Sequence, residues 1–452
     1  MMNDAIRVCK ILIDAGFEAF FVGGCVRDMF MNAEPHDIDI TTNALPEDIQ
    51  RLFPDHVDTG LKHGTVSVRV TPHGDLFEVT TFRIDGKYED GRHPEVVTFT
   101  TSITEDLARR DFTINAIAFN PITKTFADPF NGKLDINNKV IKAVGFAKDR
   151  FMEDPLRVLR AMRFAIKLGF TIDSDTAVAM HDAEVLNKLA TCISKERITD
   201  ELSKMFTCNK PVHNIFMEFS DVIDTLFPDM ANMHVPHNSP WHPHDIYEHS
   251  ICVIDACDTN KFVIKLAALF HDIGKPASRI HDDIYNCDHF YHHPLKSKDI
   301  CEVALHRDLR LSTDEFNRTI ELVEFHDMHI NPDFRSIRRM IVNHGEDFVR
   351  DWVILKRADI SDHICPPTMA DKYNDTITRF KTFNERLDEV VANMTAMSIK
   401  DLAISGNDVM AVLNLKPSKR VGEILKSLFD KVVDGSLDNT RDTLLNALME
   451  VE

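Results

Sequence analysis

No stretch of the chain reaches the ~18 to 20 uninterrupted apolar residues that a bilayer span requires. Met1-Met2-Asn3-Asp4 also lacks the basic-then-apolar pattern of a signal peptide. These absences point to a cytoplasmic protein with no membrane partner. Net positive charge is missing as well: 52 Lys and Arg stand against 72 Asp and Glu, a formal charge of −20. Phosphate neutralisation by Lys and Arg supplies most non-specific nucleic-acid affinity, so any RNA site must be local and DNA is not an expected partner. The nine cysteines are scattered, with no Cys-x-x-Cys pair to suggest a zinc knuckle or redox site, and are expected to be reduced. No internal repeat or low-complexity tract is present.

What is there is length and histidine. A chain of 452 residues exceeds the size at which one core keeps growing, so two to four domains are expected. Residues 4 to 16 read as an amphipathic helix closed by Gly16, and Phe17 to Val22 as a short apolar strand. Strand-like runs follow at Gly64 to Val70, Leu76 to Phe82 and Val96 to Thr100. After about residue 140 helical periodicity takes over, from Pro155 to Phe227. The Pro- and His-rich stretch Met233 to His244 marks a boundary, and Cys365-Pro366-Pro367 reads as a linker because it cannot continue a helix. Of the 22 histidines, many fall between His234 and His329, and imidazole is the commonest metal ligand near neutral pH.

Two constellations carry chemistry. In the first, Gly23-Gly24-Cys25-Val26-Arg27-Asp28 follows the first strand, where glycines let the backbone approach a phosphate and helix-start N–H groups favour an anion. Asp37-Ile38-Asp39 comes next. In a strand, residues i and i+2 share a face, so both carboxylates would point at one locus and suit Mg²⁺. The competing reading is a solvated turn. Asp154 and Arg157, at i and i+3, would be neighbours on a helix, able to accept from an exocyclic amine and donate to ring nitrogens of a base. Asp before Pro also suits a helix N-cap. Arg157, Arg160 and Arg163 form a basic stripe that is either a solvated face or a set of triphosphate and RNA contacts.

In the second constellation, His271-Asp272 follows the apolar run Phe262 to Phe270, with His249 upstream and His293, His326 and Asp359 downstream. Imidazoles and carboxylates together suit Mn²⁺, Fe²⁺, Co²⁺, Ni²⁺ or Zn²⁺ more than Mg²⁺.

The serial order GGCVRD, DID, Arg109-Arg110-Asp111-Phe112-Thr113-Ile114-Asn115-Ala116, Asp128-Pro129-Phe130-Asn131-Gly132, Glu153-Asp154-Pro155-Leu156-Arg157 and Glu196-Arg197-Ile198 resembles the class II tRNA nucleotidyltransferases, the CCA-adding enzymes. The histidine series resembles the HD phosphohydrolase superfamily, a combination found in bacterial multifunctional members.

The resemblance implies an α+β fold: a polymerase-beta-like palm with a mixed sheet over residues 1–140 and an all-α, nucleotide-selecting neck over 141–230. An HD-type helical body would span 231–365 and a helical, tRNA-binding tail 366–452. It implies addition of CMP, CMP and AMP to a tRNA 3′-hydroxyl from CTP and ATP. The HD domain would remove 2′,3′-cyclic or terminal phosphates from RNA ends. Asp37 and Asp39 would be catalytic metal ligands; Gly23, Gly24 and Arg27 would hold the triphosphate, with Arg110 and Asp111 at the ribose. Asp111 also suits the N-cap of a helix from Phe112 to Ala118. Asp154, Arg157, Arg160 and Arg163 would complete the nucleotide site, and the loop from Asp85 to Pro94 would help switch from C to A addition.

At the HD centre His249, His271, Asp272, His293, His326 and Asp359 would bind metal, with Lys275 on phosphate. One metal is the simplest occupancy, and His293 with His326 leaves room for a second. Lys416-Pro417-Ser418-Lys419-Arg420 reads either as an RNA contact in the tail or as a solvated loop. A monomer or homodimer is expected. The alternatives are a poly(A) polymerase, an HD phosphohydrolase with an inert transferase domain, and a non-catalytic tRNA-binding scaffold.

Overall fold

The computed structural model describes residues 1–35, 37–86, 97–365 and 369–450. The chain divides into two compact units, Met1–Pro228 with Asp308–Arg310, and Asp229–Arg307 with Leu311–Glu452.

The first unit begins with helix Met2–Asp14, whose Ala5, Val8, Cys9 and Leu12 are buried at helical spacing. Nine strands follow: β1 (Ala19–Val22), β2 (Asp39–Thr42), β3 (His56–Gly60), β4 (Thr65–Val68), β5 (Phe77–Thr81), β6 (Arg83–Asp85), β7 (Val97–Phe99), β8 (Ala118–Asn120) and β9 (Thr125–Ala127). Seven of them form a mixed sheet in the order β3-β4-β5-β2-β1-β8-β9, while β6 and β7 pair separately. β2 runs antiparallel to β1, with Val22 opposite Asp39, and parallel to β5. The register thus sets the Gly-Gly turn after β1 beside Asp39, the carboxylate that opens β2.

Phe112 to Ala118 does not form the helix anticipated from its apolar character. It makes a single 3₁₀ turn, Thr113–Asn115, and then enters β8. An apolar run buried on every side gives no periodicity from which helix and strand can be separated. Helices from Ala147 to Leu226 complete the unit, among them Ala147–Glu153, Leu156–Leu168 and Lys195–Thr207. Two short additions to the helical regions are the pairing of Val140–Ile141 with Thr171–Ile172 and a hairpin joining Arg279–Asp282 to Cys287–Phe290.

In the second unit, helix Phe262–Phe270 is buried almost all round. Burying one such large aliphatic or aromatic side chain stabilises by about 1.5–3 kcal/mol, so this segment anchors the unit. It packs against helices Ile246–Ala256, Thr313–Phe325 and Glu346–Ser361. The C-terminal helices enclose their own core of Val409, Ile424, Leu428, Leu444 and Leu448. Among the described residues no helix is long and apolar enough to cross a membrane.

Candidate active sites in the two units

In the first unit Gly23 has φ of +79°, a conformation that glycine adopts without strain. A side chain there would also intrude on the site, since a Cβ would lie 3.3 Å from the Arg110 guanidinium and 3.8 Å from Asp39 Oδ2. Asp39 is open to solvent on one side, yet protein crowds its carboxyl. The lost hydration raises its pKa to about 6, Asp37 and Glu78 add to the rise, and Arg110 opposes it. Three carboxylates, Asp37, Asp39 and the strand residue Glu78, therefore lie within electrostatic reach of one another. Arg27 is buried and donates to Asn115 Oδ1 at 2.8 Å and to Asp28 Oδ1.

The Arg109-Arg110-Asp111 segment joins this locus to helix Leu156–Leu168. Asp111 Oδ2 accepts from Arg160 Nε at 2.9 Å, while Oδ1 accepts from the Phe112 N–H and Asn115. Burial works against the Asp111 charge, but Arg160 outweighs it and holds the pKa at about 2. Arg157 donates to the Arg109 carbonyl at 3.1 Å and to Glu153 at 3.0 Å.

Asp154 does not share a helix with Arg157. It lies in extended backbone at the break between Ala147–Glu153 and Leu156–Leu168, where Pro155 interrupts the run. Its Oδ1 accepts from the Leu156 N–H at 3.1 Å, and its Oδ2 from Arg197 at 2.7 Å. The arginine stripe is not a solvated face. Arg157 and Arg163 are buried, and Arg163 is paired with Glu201 at 2.5 Å. Gly24 adjoins the Arg27 guanidinium. Of the switching loop, residues 87–96 lie outside the described residues.

In the second unit the six expected ligands converge. His249 comes from helix Ile246–Ala256, His271 and Asp272 from the end of Phe262–Phe270, and His293 from the start of His293–Asp308. His326 ends Thr313–Phe325, and Asp359 lies in Glu346–Ser361. Gly274 permits the close approach: a Cβ would fall 2.7 Å from the His293 carbonyl and 2.3 Å from the Ser297 nitrogen.

Backbone carbonyls fix three of the rings, since Nδ1 of His271, His293 and His326 faces Ala268, Phe290 and Val323 at 2.7, 2.8 and 2.8 Å. Asp362 does the same for His249 at 2.7 Å. Each Nδ1 therefore carries the proton and each Nε2 presents a lone pair to the centre. Two of these lone pairs, on His293 and His326, lie 3.1 Å apart, which requires a proton or a cation nearby.

The six groups fall into two triads, His249/His271/Asp359 and Asp272/His293/His326. Asp272 spans them: Oδ2 lies 3.5 and 3.2 Å from His249 and His271, Oδ1 3.3 and 3.6 Å from His293 and His326. Asp272 Oδ1, and Nε2 of His249 and His271, are buried without hydrogen-bond partners, while Asp272 Oδ2 is met by the Lys275 ammonium. Burial raises the Asp272 pKa, but His271 and Lys275 outweigh it and hold the group well below the usual carboxylate range.

Lys275 is engaged by Asp272 Oδ2 at 2.6 Å and by His237 Nε2 at 3.0 Å. His237 and His242, which sequence reading absorbed into a boundary, stand beside the centre with their rings stacked at 3.9 Å. Asp327 was missed as well; it pairs with Lys356, which also holds Asp359 at 3.0 Å.

An acidic pair opening a mixed-sheet strand, backed by a Gly-Gly turn and an arginine-bearing helix, defines a nucleotidyltransferase-type head. Residues 19–142 match the poly A polymerase head domain, 169–233 the probable RNA and SrmB-binding site of polymerase A, and 371–448 a putative tRNA nucleotidyltransferase domain 2. The CCA-adding enzyme of Oceanobacillus iheyensis is 32% identical over 431 residues, 95% of this chain and 91% of that protein. The chain belongs to the CCA-adding enzyme family. A Listeria monocytogenes relative is 50% identical over 237 residues, covering 51% of this chain and 58% of the relative. The chain thus spans little more than half the length of that relative. The crystal structure of the Bacillus stearothermophilus CCA-adding enzyme in complex with CTP superposes with a TM-score of 0.67 at 27% identity, covering 99% of this chain and 97% of the other.

Proposed function

We propose that the first unit adds CMP, CMP and then AMP to the 3′ end of tRNA, drawing on CTP and ATP. The observation that carries this reading is the grouping of Asp37, Asp39 and Glu78 beside Gly23 and Arg110. Family membership, and the likeness to a relative captured with CTP, favour it over the poly(A) alternative. In the transfer the 3′-hydroxyl oxygen bonds to the α-phosphorus, the α–β phosphoanhydride bond breaks, and the hydroxyl proton passes to water. Mg²⁺ held by Asp37 and Asp39 would ease loss of that proton and offset charge on the departing pyrophosphate. Gly23 and Gly24 leave room for the triphosphate, while Asp154 and Arg157 select the base by hydrogen bonding. Arg160 keeps Asp111 ionised and in place, and Arg163, tied to Glu201, braces the same helix.

The test supplies tRNA lacking its last three nucleotides with labelled CTP and ATP. Ordered incorporation of two C and one A supports the proposal. Long tails from ATP alone on an arbitrary RNA would favour a poly(A) polymerase.

A specific observation favours a second activity, phosphohydrolysis at the histidine centre. Nε2 of His249 and His271 and Oδ1 of Asp272 are buried without hydrogen-bond partners, and both imidazole lone pairs are aimed by a hydrogen bond on the far side of the ring, as metal-binding histidines require. The donor set fits a transition divalent ion such as Mn²⁺, Fe²⁺, Co²⁺, Ni²⁺ or Zn²⁺, and two triads bridged by Asp272 suit two ions better than one. Such ions would supply a hydroxide-like water for attack on phosphorus. The water oxygen bonds to phosphorus, one ester P–O bond breaks, and the departing oxygen takes up a proton. Opening of a 2′,3′-cyclic phosphate to a phosphomonoester, and release of phosphate from RNA ending in a terminal phosphate, both dependent on added Mn²⁺ or Ni²⁺ and lost in Asp272→Asn, are the expected results. Hydrolysis that survives Asp272→Asn would place the chemistry elsewhere.

A further inference from the structure

The histidine centre opens into two adjoining cavities of opposite character. One, of about 360 Å³, is lined by Asp272, Lys275, His293, His326 and Asp359, the charged and ligating groups. The other, of about 910 Å³, lies between the Pro236–Asp245 segment and the hairpin. Ser239, His242 and His289 line both, so the two are continuous. Pro236, Pro240, Pro243 and Tyr285 wall the larger one, with Asn238 and Asn286 for hydrogen bonding; no lysine or arginine lines it among the described residues.

The geometry of that wall is fixed. The Asp288 N–H donates to the Asn238 carbonyl at 2.9 Å, tying hairpin to segment. Asp282 Oδ1 accepts from the Ile284 and Tyr285 N–H groups at 2.8 and 3.1 Å, pinning the hairpin tip. Asn286, at φ of +48°, completes the turn. Tyr285 is 77% exposed, so core packing does not account for an aromatic at this position. His289 stacks on Tyr291 with ring centroids 5.4 Å apart, a second flat surface at the cavity mouth.

We propose that the larger cavity is the nucleoside subsite of the histidine centre, receiving the base and ribose of the RNA 3′-terminal nucleotide whose phosphate sits against Asp272 and Lys275. This inference rests on the phosphohydrolase reading. A site for inorganic phosphate or pyrophosphate would have no use for a proline- and tyrosine-walled annex lined by Asp245 and, among the described residues, by neither lysine nor arginine. A base offers a flat apolar face to Tyr285 and polar edges to Asn238 and Asn286. The volume falls within the roughly 300–1,000 Å³ of small-molecule sites.

The test uses the full-length protein loaded with Mn²⁺ and compares adenosine 2′,3′-cyclic phosphate with methyl riboside 2,3-cyclic phosphate, which carries the same reacting group without a base. The nucleoside form should show a KM about tenfold lower, Tyr285→Ala should bring the two values together, and Tyr285→Phe should keep them apart. Because Tyr285 is exposed on a turn, the substitution leaves the core intact. Calorimetric binding of adenosine 3′-monophosphate against ribose 3-phosphate provides a readout independent of turnover. Base-dependent binding without hydrolysis would support the subsite and overturn the phosphohydrolase reading. Equal KM values, or equal binding, for the base-bearing and base-free ligands would overturn the subsite while leaving hydrolysis standing.

Discussion

The two candidate sites set out their carboxylates and imidazoles in opposite ways. Beside the sheet, Asp37 and Asp39 are exposed carboxylates on one short stretch, Asp39 opening β2 and Asp37 two residues before it, held by neither a helix nor a hydrogen-bonded partner ring. In the histidine centre the ligands come from five helices or helix ends, lie almost wholly buried, and have their tautomers fixed by backbone carbonyls and Asp362. An open acidic pair suits a hard ion that arrives with its substrate and keeps much of its water. A closed imidazole cage suits a resident ion that the protein itself surrounds. On the proposed reading, one site would be assembled anew in each catalytic cycle and the other once, at folding.

The largest effect that would break this comparison is a loss of transfer. Asp39→Ala should reduce CMP incorporation into truncated tRNA by about 10³-fold or more while phosphate release from RNA ends continues. Loss of both activities together would mean that the sites are not independent. Metal removal probes the other side. Chelation should lower the melting transition of the second unit selectively, because a resident ion at 10³ times its Kd contributes about 4 kcal/mol. Two calorimetric transitions, of which one shifts with EDTA and recovers with Mn²⁺, are expected; a single unmoved transition would refute a resident ion.

How legible each site was in sequence follows the same division. Asp37 and Asp39 stand at i and i+2, so local geometry alone placed them together. The histidine ligands run from His249 to Asp359, and helix packing alone joins them, so only their serial order betrayed them. His237 and His242 were missed because the prolines around them read as a boundary and hid the ring stack they build beside Lys275. The hairpin from Arg279 to Phe290 was missed because its strands are four residues each and largely polar, leaving no apolar alternation to read. Of the two readings of Asp154, the shared helical face with Arg157 does not hold, and the residue sits at the break marked by Pro155, accepting from the Leu156 N–H as a helix-capping residue would.

A smaller effect sharpens the contrast within the first unit. Asp154→Ala removes the partner of Arg197 and, on the proposed function, a base-selecting acceptor, and each discriminating base contact is worth about 1–3 kcal/mol. Competition between CTP and UTP should show preference for C falling about five- to 150-fold; unchanged preference would assign selection to other residues. Close to this in size is the pH dependence from Asp111. Its pKa is about 2 in the fold and lies near ~3.9 in an unfolded chain, so the folded value is depressed. The contribution, about 2 kcal/mol, is present above pH ~4 and lost as pH falls toward 2. Denaturation of the first unit between pH 5 and 2 should flatten in Asp111→Asn; an unaltered slope would show that Arg160 does not stabilise the charge.

The smallest effect concerns the C-terminal helices. Lys416, Lys419 and Arg420 are exposed, and the nearest acid to Lys419 is Glu423 at 3.6 Å, a surface pair worth about 0–1 kcal/mol. Replacing all three with Ala should therefore leave stability nearly unchanged. If these residues meet tRNA phosphates, affinity falls severalfold and the slope of log K against log salt becomes shallower by about 0.7–0.9 for each phosphate no longer neutralised. Sites formed by buried ligands tolerate salt, whereas a surface cluster on a chain of charge −20 does not. A salt slope identical in the triple variant and the parent would return this segment to the solvated loop that its composition equally allows.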